Sequence, residues 1–451
     1  MGVSNIVFIV LLVAAGALFA RNAGKIARNI RLGRDLKRND RPGERWKLMA
    51  RVALGQSKMV VRPVAGIMHI LIYVGFIIIN IEVLEIVLDG IFGTHRLFAP
   101  ILGDTLYYFV INSFEVLAVL VIVACVVFLV RRNILRLSRF TKPEMKSWPT
   151  SDANIILVVE ILLMGAFLTM NAADSTLMMY ANFGGLPDDL MHYASLPGHD
   201  GFLVSQWITG LTPDDPYAVA TLERAAWWFH IVGIFAFLNY LPYSKHFHIL
   251  LSFPNVWYSN LEAKGQFKNN EAVTREVQLM LDPSADPYAA PAEGAAEPER
   301  FGAKDVTDLT WKQLMDAYTC TECGRCTDEC PANQTGKLLS PRKIMMDTRD
   351  RLEEVGKNID KHGKEHDDGK ALLRDFISEE ELWACTTCNA CVQACPVNID
   401  PLSIIMDLRR YLIMEESKSP ESITAMFNNV ENNGAPWAFP QADRAKWIEE
   451  N

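Results

Sequence analysis

Five stretches of the chain, at about 3 to 20, 63 to 88, 105 to 130, 154 to 173 and 225 to 251, are apolar and nearly free of charge. At about 1.5 Å per helical residue each is long enough to cross a hydrocarbon core of roughly 30 Å. Five membrane helices are predicted. The first is preceded by no basic segment and reads as an uncleaved anchor rather than a signal peptide. After residue 255 the pattern changes. The run from Asp282 to Pro298 is built from Pro, Ala and acidic residues, cannot bury a core and reads as a linker. Beyond it no strand-like alternation occurs, and helix-start signals recur. Thr310 with Gln313 and Ser378 with Glu381 read as capping boxes, and Ser340-Pro341 and Asp400-Pro401 as N-caps followed by proline at the first helical position. The predicted chain is all-α: a five-helix transmembrane bundle over 1–255, a connector and linker over 256–300, a helical domain over 301–420 and a tail over 421–451.

Charge orients the bundle, because cytoplasmic loops retain Lys and Arg. Thirteen of these residues lie between Arg21 and Arg62, and Arg131, Arg132, Arg136 and Arg139 mark a second basic loop, whereas Asn171 to Leu222 contains none. The N-terminus is predicted outside and the C-terminal domain in the cytoplasm. From 301 to 451 there are 18 basic and 27 acidic residues, so this part accounts for the whole net charge of −9. Such a surface suits a basic protein partner or is merely solvated, and it argues against nucleic acid.

Eight of nine cysteines fall in two strings, Cys320-x2-Cys323-x2-Cys326-x3-Cys330-Pro and Cys385-x2-Cys388-x2-Cys391-x3-Cys395-Pro. In this spacing three thiolates of one tight loop hold three corners of a 4Fe–4S cubane, and the fourth cysteine is led away to the other cluster. One cluster is therefore expected on Cys320, Cys323, Cys326 and Cys395, the other on Cys385, Cys388, Cys391 and Cys330. A reducing cytosol disfavours disulfides, and zinc prefers paired C-x-x-C motifs to a C-x-x-C-x-x-C run. Cys125 lies in an apolar run and reads as a small buried hydrophobe.

Intramembrane histidines are costly enough to be functional candidates. His230 and His248 lie eighteen residues apart on the fifth helix, so they share one face, five turns and about 27 Å apart. His69, seven residues past Arg62, matches the depth of His248, and a bis-histidine b-type haem between the second and fifth helices is expected. His246 should face elsewhere on such a helix. Glu82, Glu85 and Glu115 lie toward the outer ends of the second and third spans, and Glu160 toward the inner side. Glu82 and Glu115 are the candidates for a quinone site, while Glu85 reads equally as a solvated interfacial carboxylate.

The stretch Trp228-Phe-His230 through Leu241-Pro242-Tyr-Ser244-Lys245-His-Phe-His248, with five spans and an outside N-terminus, resembles the cytochrome b (gamma) subunit of membrane nitrate reductases. It is similar also to cytochrome subunits of heterodisulfide-reductase-type and sulfite-reductase-linked complexes. Residues 301 to 420 resemble the small iron–sulfur subunit of heterodisulfide reductase, an α-helical dicluster ferredoxin domain. The fusion resembles the N-terminal portion of membrane iron–sulfur oxidoreductases that exchange electrons between menaquinone and a flavoprotein or a thiol–disulfide couple. In the nitrate-reductase relatives a second histidine follows about ten residues after the first; here Ile79 and Asn80 stand there, so one haem or two remains open. His230 is then left without a partner on the second helix, or is served by His95, His192 or His199. Longer relatives carry further Cys-Cys repeats for a catalytic centre, and no cysteine follows Cys395.

The resemblance implies an electron-transfer subunit in a bacterial or archaeal cytoplasmic membrane. It would link the menaquinone pool, through haem b and two 4Fe–4S clusters, to a separate cytoplasmic iron–sulfur catalytic subunit or an electron-transfer flavoprotein. The alternative is a haem-free anchor, held among membrane lipids, whose ferredoxin domain is a docking or assembly module.

Overall fold

The computed structural model describes residues 2–195, 202–267, 269–284 and 300–449. Most of the expected linker and His199 lie outside the described residues. The chain divides into two compact units, one of Met1–Ala27, Trp46–Pro254 and Thr321–Cys323, the other of Arg28–Arg45, Asn255–Cys320 and Gly324–Asn451. Among the described residues there is no strand, only the isolated bridges Arg34 to Thr310 and Leu373 to Ile377.

The first unit is built on five long helices: α1 (Val3–Ile30, which runs on into the second unit), α2 (Pro63–Phe92), α3 (Asp104–Leu129), α4 (Trp148–Asn182) and α5 (Pro216–Tyr240). All five are long and apolar enough to cross a membrane. Their ends follow local chemistry. Pro63 opens α2 and Gly93, at φ 73°, closes it, while Asp215 caps α5 by accepting from Ala218 N at 2.9 Å. Apolar side chains such as Val3, Val10 and Val13 on α1 face outward, as a lipid-facing surface requires, and Phe167 and Ile231 are fully buried. Helices α2 and α3 approach closely at Gly75, where a Cβ would come within 2.6 Å of Val121 Cγ2. Phe8 ties α1 to α5, its ring centre 5.6 Å from Trp227 and 5.9 Å from Phe235.

One expectation fails here. The fifth span is not a single helix to residue 251: α5 stops at Tyr240, and two short 3-10 turns, Leu241–Tyr243 and Lys245–Phe247, precede a new helix α6 (His248–Trp257). Pro242 lacks a donor N–H and its ring crowds the preceding turn, which favours ending the helix there. The shared face and 27 Å separation inferred for His230 and His248 fall with the unbroken helix.

The second unit is helical throughout, with α7 (Trp311–Thr319), α8 (Arg325–Asp328), α9 (Pro341–His362), α10 (Glu379–Trp383), α11 (Ala390–Ala394), α12 (Pro401–Met414) and α13 (Glu421–Asn433) as its main elements. Leu314, Ile344, Leu352, Leu382, Ile404 and Leu408 form its buried core. The basic segment Arg28–Arg45 belongs to this unit. Arg34 N donates to Leu309 O at 2.7 Å, Trp311 N donates to Arg34 O at 3.0 Å, and Arg45 reaches the carbonyls of Trp257 and Ser259 at 3.0 and 2.9 Å. At Gly33 a Cβ would meet Trp311 N at 2.6 Å, so the contact admits only glycine.

Candidate functional site

Both cysteine strings leave a capped helix. Gln313 Oε1 accepts from Thr310 N at 2.8 Å before α7, and Glu381 Oε2 from Ser378 N at 2.9 Å before α10. The first helix ends at Thr319, with Cys320 as its C-cap, and the second at Trp383, two residues before Cys385. The loops that follow repeat the same backbone reversal sixty-five positions apart, with left-handed residues at Glu322 (φ 56°) and Gly324 (φ 74°) and again at Thr387 (φ 57°) and Asn389 (φ 60°). At β-branched Thr387 the left-handed conformation costs about 1–3 kcal/mol, which the surrounding loop must offset.

Cys320, Cys330, Cys391 and Cys395 are buried, Cys323, Cys326 and Cys385 partly so, and Cys388 is exposed. Although Cys330 belongs to the first string, its thiol lies close enough to Cys385 and Cys391 to act on both electrostatically. Burial pushes the Cys391 thiol up. A gathering of buried thiols suits a strong Lewis acid that holds them as thiolates, which is the role an iron–sulfur core would fill. Backbone donors face the sulfurs, Thr387 N to Cys385 Sγ at 3.4 Å and Ile399 N to Cys395 Sγ at 3.3 Å. Arg409 donates to the Cys385 carbonyl at 2.6 Å and stacks over Trp383. Such donors to cluster sulfurs are among the levers that set a potential.

The turn after α5 positions two histidines. Asp152 of α4 accepts from Tyr240 Oη at 2.5 Å and from Lys245 N at 3.1 Å, and Ser244 Oγ accepts from His246 N at 3.1 Å. The turn thus presents His248 opposite His69 of α2, with ring centres 6.5 Å apart. The two imidazoles are near enough that they would be the residues to hold one haem iron between them, were it bound. His248 Nδ1 donates to Lys245 O at 3.0 Å, which leaves Nε2 with its lone pair, the usual arrangement of a metal-bound imidazole. His246 does not face away, as an unbroken helix would demand. Its ring lies 5.5 Å from that of His248 and its Nε2 is 3.9 Å from Glu160.

His230 is fully buried. Its Nδ1 donates to Leu163 O at 2.8 Å, and its Nε2 makes no hydrogen bond. Neither His95 nor His192 stands opposite it. His95 is 3.3 Å from Asp174 and 3.3 Å from Arg224, which lies six residues, about 9 Å of helix, from His230. His192 packs beside His95 at 6.3 Å between ring centres. On α2, Ile79 is buried and Asn80 donates back to Phe76 O at 2.5 Å.

A buried polar cluster occupies the Gly93 end of α2. Glu82, Glu85 and Asp89 follow one face of the helix, with Glu85 only 2% exposed and not solvated. Asp89 accepts from Arg96 N at 2.9 Å and Glu85 from Phe98 N at 2.8 Å, so both fix the loop beyond α2. Glu115 accepts from Val204 N at 2.7 Å, Ser205 N at 3.2 Å, Asn171 Nδ2 at 3.0 Å and the Ser205 hydroxyl. Those bonds commit its carboxylate to holding the segment around residue 204. Glu82 differs, since neither of its oxygens is hydrogen-bonded and Arg96 Nη1 lies 3.9 Å away. Sequence reasoning missed Arg96, Asp174 and Glu223 in this cluster. The only local signal was Asn171 and Asp174, one turn apart in an apolar span.

The 4Fe-4S dicluster domain family matches residues 319–399, which contain both strings. Over 93% of its length the chain is 27% identical to the probable iron-sulfur-binding oxidoreductase FadF of Bacillus subtilis, covering 57% of that protein. It is 27% identical over 92% of its length to the EtfAB:quinone oxidoreductase of Syntrophomonas wolfei, covering 55% of that protein. A stretch amounting to 26% of the chain is 32% identical to a subunit of the ferredoxin/F(420)H(2)-dependent CoB-CoM heterodisulfide reductase of Methanosarcina acetivorans, covering 60% of it. The chain thus spans little more than half the length of the first two relatives. No solved structure matches.

Proposed function

We infer an electron-transfer role for this protein of five apolar helices and a dicluster domain, because its homologues are iron–sulfur oxidoreductases and heterodisulfide reductase subunits. We propose that it is a membrane-bound electron-transfer subunit that connects menaquinone, through haem b and two 4Fe–4S clusters, to a partner in the cytoplasm. The observation that carries the haem is the 6.5 Å spacing of His69 and His248, with Nδ1 of His248 tied to a carbonyl. Haem bound there would supply a one-electron carrier, and the chain's part is to hold it, exclude water and set its potential. His230, with a free Nε2 lone pair in a buried site, is the candidate ligand of a second haem.

Clusters on Cys320, Cys323, Cys326 and Cys395, and on Cys385, Cys388, Cys391 and Cys330, carry electrons on the cytoplasmic side, with the N-terminus outside. The partner is an electron-transfer flavoprotein or a separate iron–sulfur catalytic subunit. The likeness to an EtfAB:quinone oxidoreductase over nearly the whole chain favours the flavoprotein. Of the two quinone-site candidates, Glu82 is the stronger, because Glu115 is engaged in loop contacts.

The test is visible and electron paramagnetic resonance spectroscopy of the purified full chain, before and after a menaquinol analogue, beside His248→Ala. Haem bands that grow on quinol addition and vanish in the variant are expected. Iron–sulfur signals alone, unmoved by quinol, would leave the bundle a haem-free anchor and the ferredoxin domain a docking module.

A further inference from the structure

The cluster around Glu82 is wired to the surface. Arg96 Nη1 lies 3.9 Å from Glu82 Oε1, and the same guanidinium holds Asp174 Oδ2 at 2.8 Å and Asn171 Oδ1 at 2.5 Å. The other Asp174 oxygen faces His95 Nε2 at 3.3 Å, and His95 Nδ1 faces Arg224 Nη2 at 3.3 Å. Glu82 and Asp174 are fully buried, whereas the Arg224 side chain is 43% exposed. The contacts therefore lead from the bundle interior to solvent.

His95, Asp174 and Glu223 each bring a ligand atom within 4.8 Å of the others, a spacing that would also suit a metal ion. The surroundings oppose a cation. Arg224 donates to Glu223 at 2.5 Å, Tyr193 Oη donates to it at 2.8 Å, and Arg96 occupies the other Asp174 oxygen. Among the described residues five buried carboxylates, Glu82, Glu85, Asp89, Asp174 and Glu223, are set against these two guanidiniums.

We propose that Glu82, Asp174 and His95 form a proton-exchange path between the bundle interior and the end of the bundle at Arg224, with Arg96 as its fixed electrostatic support. The path rests on the quinone reading above. When a hydroquinone is oxidised to the quinone it loses two electrons and two protons. The electrons pass one at a time to the ferric haem and oxidised clusters of the chain, and each proton leaves a hydroxyl for the Glu82 carboxylate. From there it moves, through water beside Arg96, to Asp174 and then to His95 Nε2, while His95 Nδ1, on the Arg224 side, gives up its own proton to solvent. Arginine keeps its own proton and cannot relay, so Arg96 acts by position alone. Every group facing His95 belongs to this scheme: Asp174 from α4, Glu223 and Arg224 from α5, His192 and Tyr193 from the turn Asp188–Ser195, and Arg96 beside it.

The experiment compares Glu82→Gln and His95→Gln with the parent, as full chains in lipid nanodiscs. Three quantities are read: reduction of haem and clusters by a menaquinol analogue across pH, reduction by dithionite, and zinc binding by calorimetry. Glu82→Gln is expected to slow quinol-driven reduction about 100-fold, as loss of a proton acceptor does, and His95→Gln to flatten its pH profile. Cofactor content and dithionite reduction should stay at parental levels in both. Parental quinol rates in Glu82→Gln would sink the path while leaving the quinone reading intact. Equal losses with quinol and dithionite would make the residues structural, and stoichiometric zinc binding abolished in His95→Gln would make the cluster a metal site. A haem-loaded parent that quinol cannot reduce would overturn the quinone reading and the path with it.

Discussion

His69 and His248 face each other with ring centres 6.5 Å apart and ring planes at 45°, although 178 residues of chain separate them. If the two imidazoles hold one haem between them, as proposed, both are needed, whereas an ordinary ring contact, common at this separation, would need neither. His69→Ala and His248→Ala should therefore each abolish the haem absorption bands of the purified chain while leaving its iron–sulfur resonance signals in place. Retention of a full haem complement in both variants would remove this pair as the ligands.

Cys330 is near enough to Cys385 and Cys391 to act on both electrostatically, and ligand swapping can be tested directly. If Cys330 completes the cluster of Cys385, Cys388 and Cys391, then Cys330→Ser and Cys385→Ser should perturb the same resonance signal. Cys326→Ser should perturb the other. Cys330→Ser and Cys326→Ser striking one common signal would mean that each string holds its own cluster.

What was legible in the sequence was local. The capping boxes at Thr310 and Ser378 and the proline-started helices at Pro341 and Pro401 form as expected, because each depends on groups three or four residues apart. Cysteine spacing is legible for the same reason. The break at Pro242 was misread because the apolar run continues through it, and hydropathy does not register a missing N–H. Arg28–Arg45 looked like a membrane-flanking loop by charge, yet its backbone pairs with Leu309 and Trp311, a partnership no spacing rule encodes. The Arg96, Asp174, His95 and Glu223 cluster likewise draws on three separate parts of the chain. Its members meet only once the helices are packed.

Glu115 anchors the segment around residue 204 through its bonds to Val204 N, Ser205 N, Ser205 Oγ and Asn171. Replacing it with alanine strands at least two backbone donors in a buried site, at about 1–3 kcal/mol for each unmet group. In Glu115→Ala the amides of Val204 and Ser205 should lose protection in hydrogen–deuterium exchange, and limited proteolysis between 183 and 215 should accelerate. Unchanged protection together with a lost quinol reaction would instead return Glu115 to the quinone chemistry.

Arg351 is the electrostatic hub of the second unit. Its guanidinium, 4% exposed, donates to Asp305 at 2.7 Å, to Asp368 at 2.6 Å and to the Lys370 carbonyl at 2.7 Å. Removing the cation leaves two half-buried carboxylates without their shared partner, so Arg351→Ala should destabilise this unit by about 1–3 kcal/mol, the cost of unmet charge-assisted hydrogen bonds in a partly solvated site. The same contact sets an acid limit. Hydrogen bonding from Arg351 holds the Asp368 carboxyl down, from 3.8 to about 2. A carboxylate depressed in the folded state stabilises it fully above its unfolded value, and that contribution disappears as pH falls through the folded value. The melting-temperature difference between the parent and Asp368→Asn, followed by circular dichroism, should therefore be constant above pH 5 or so and shrink between about pH 4 and about pH 2. A difference that persists undiminished below about pH 2 would show that the Asp368 contribution is packing and not charge.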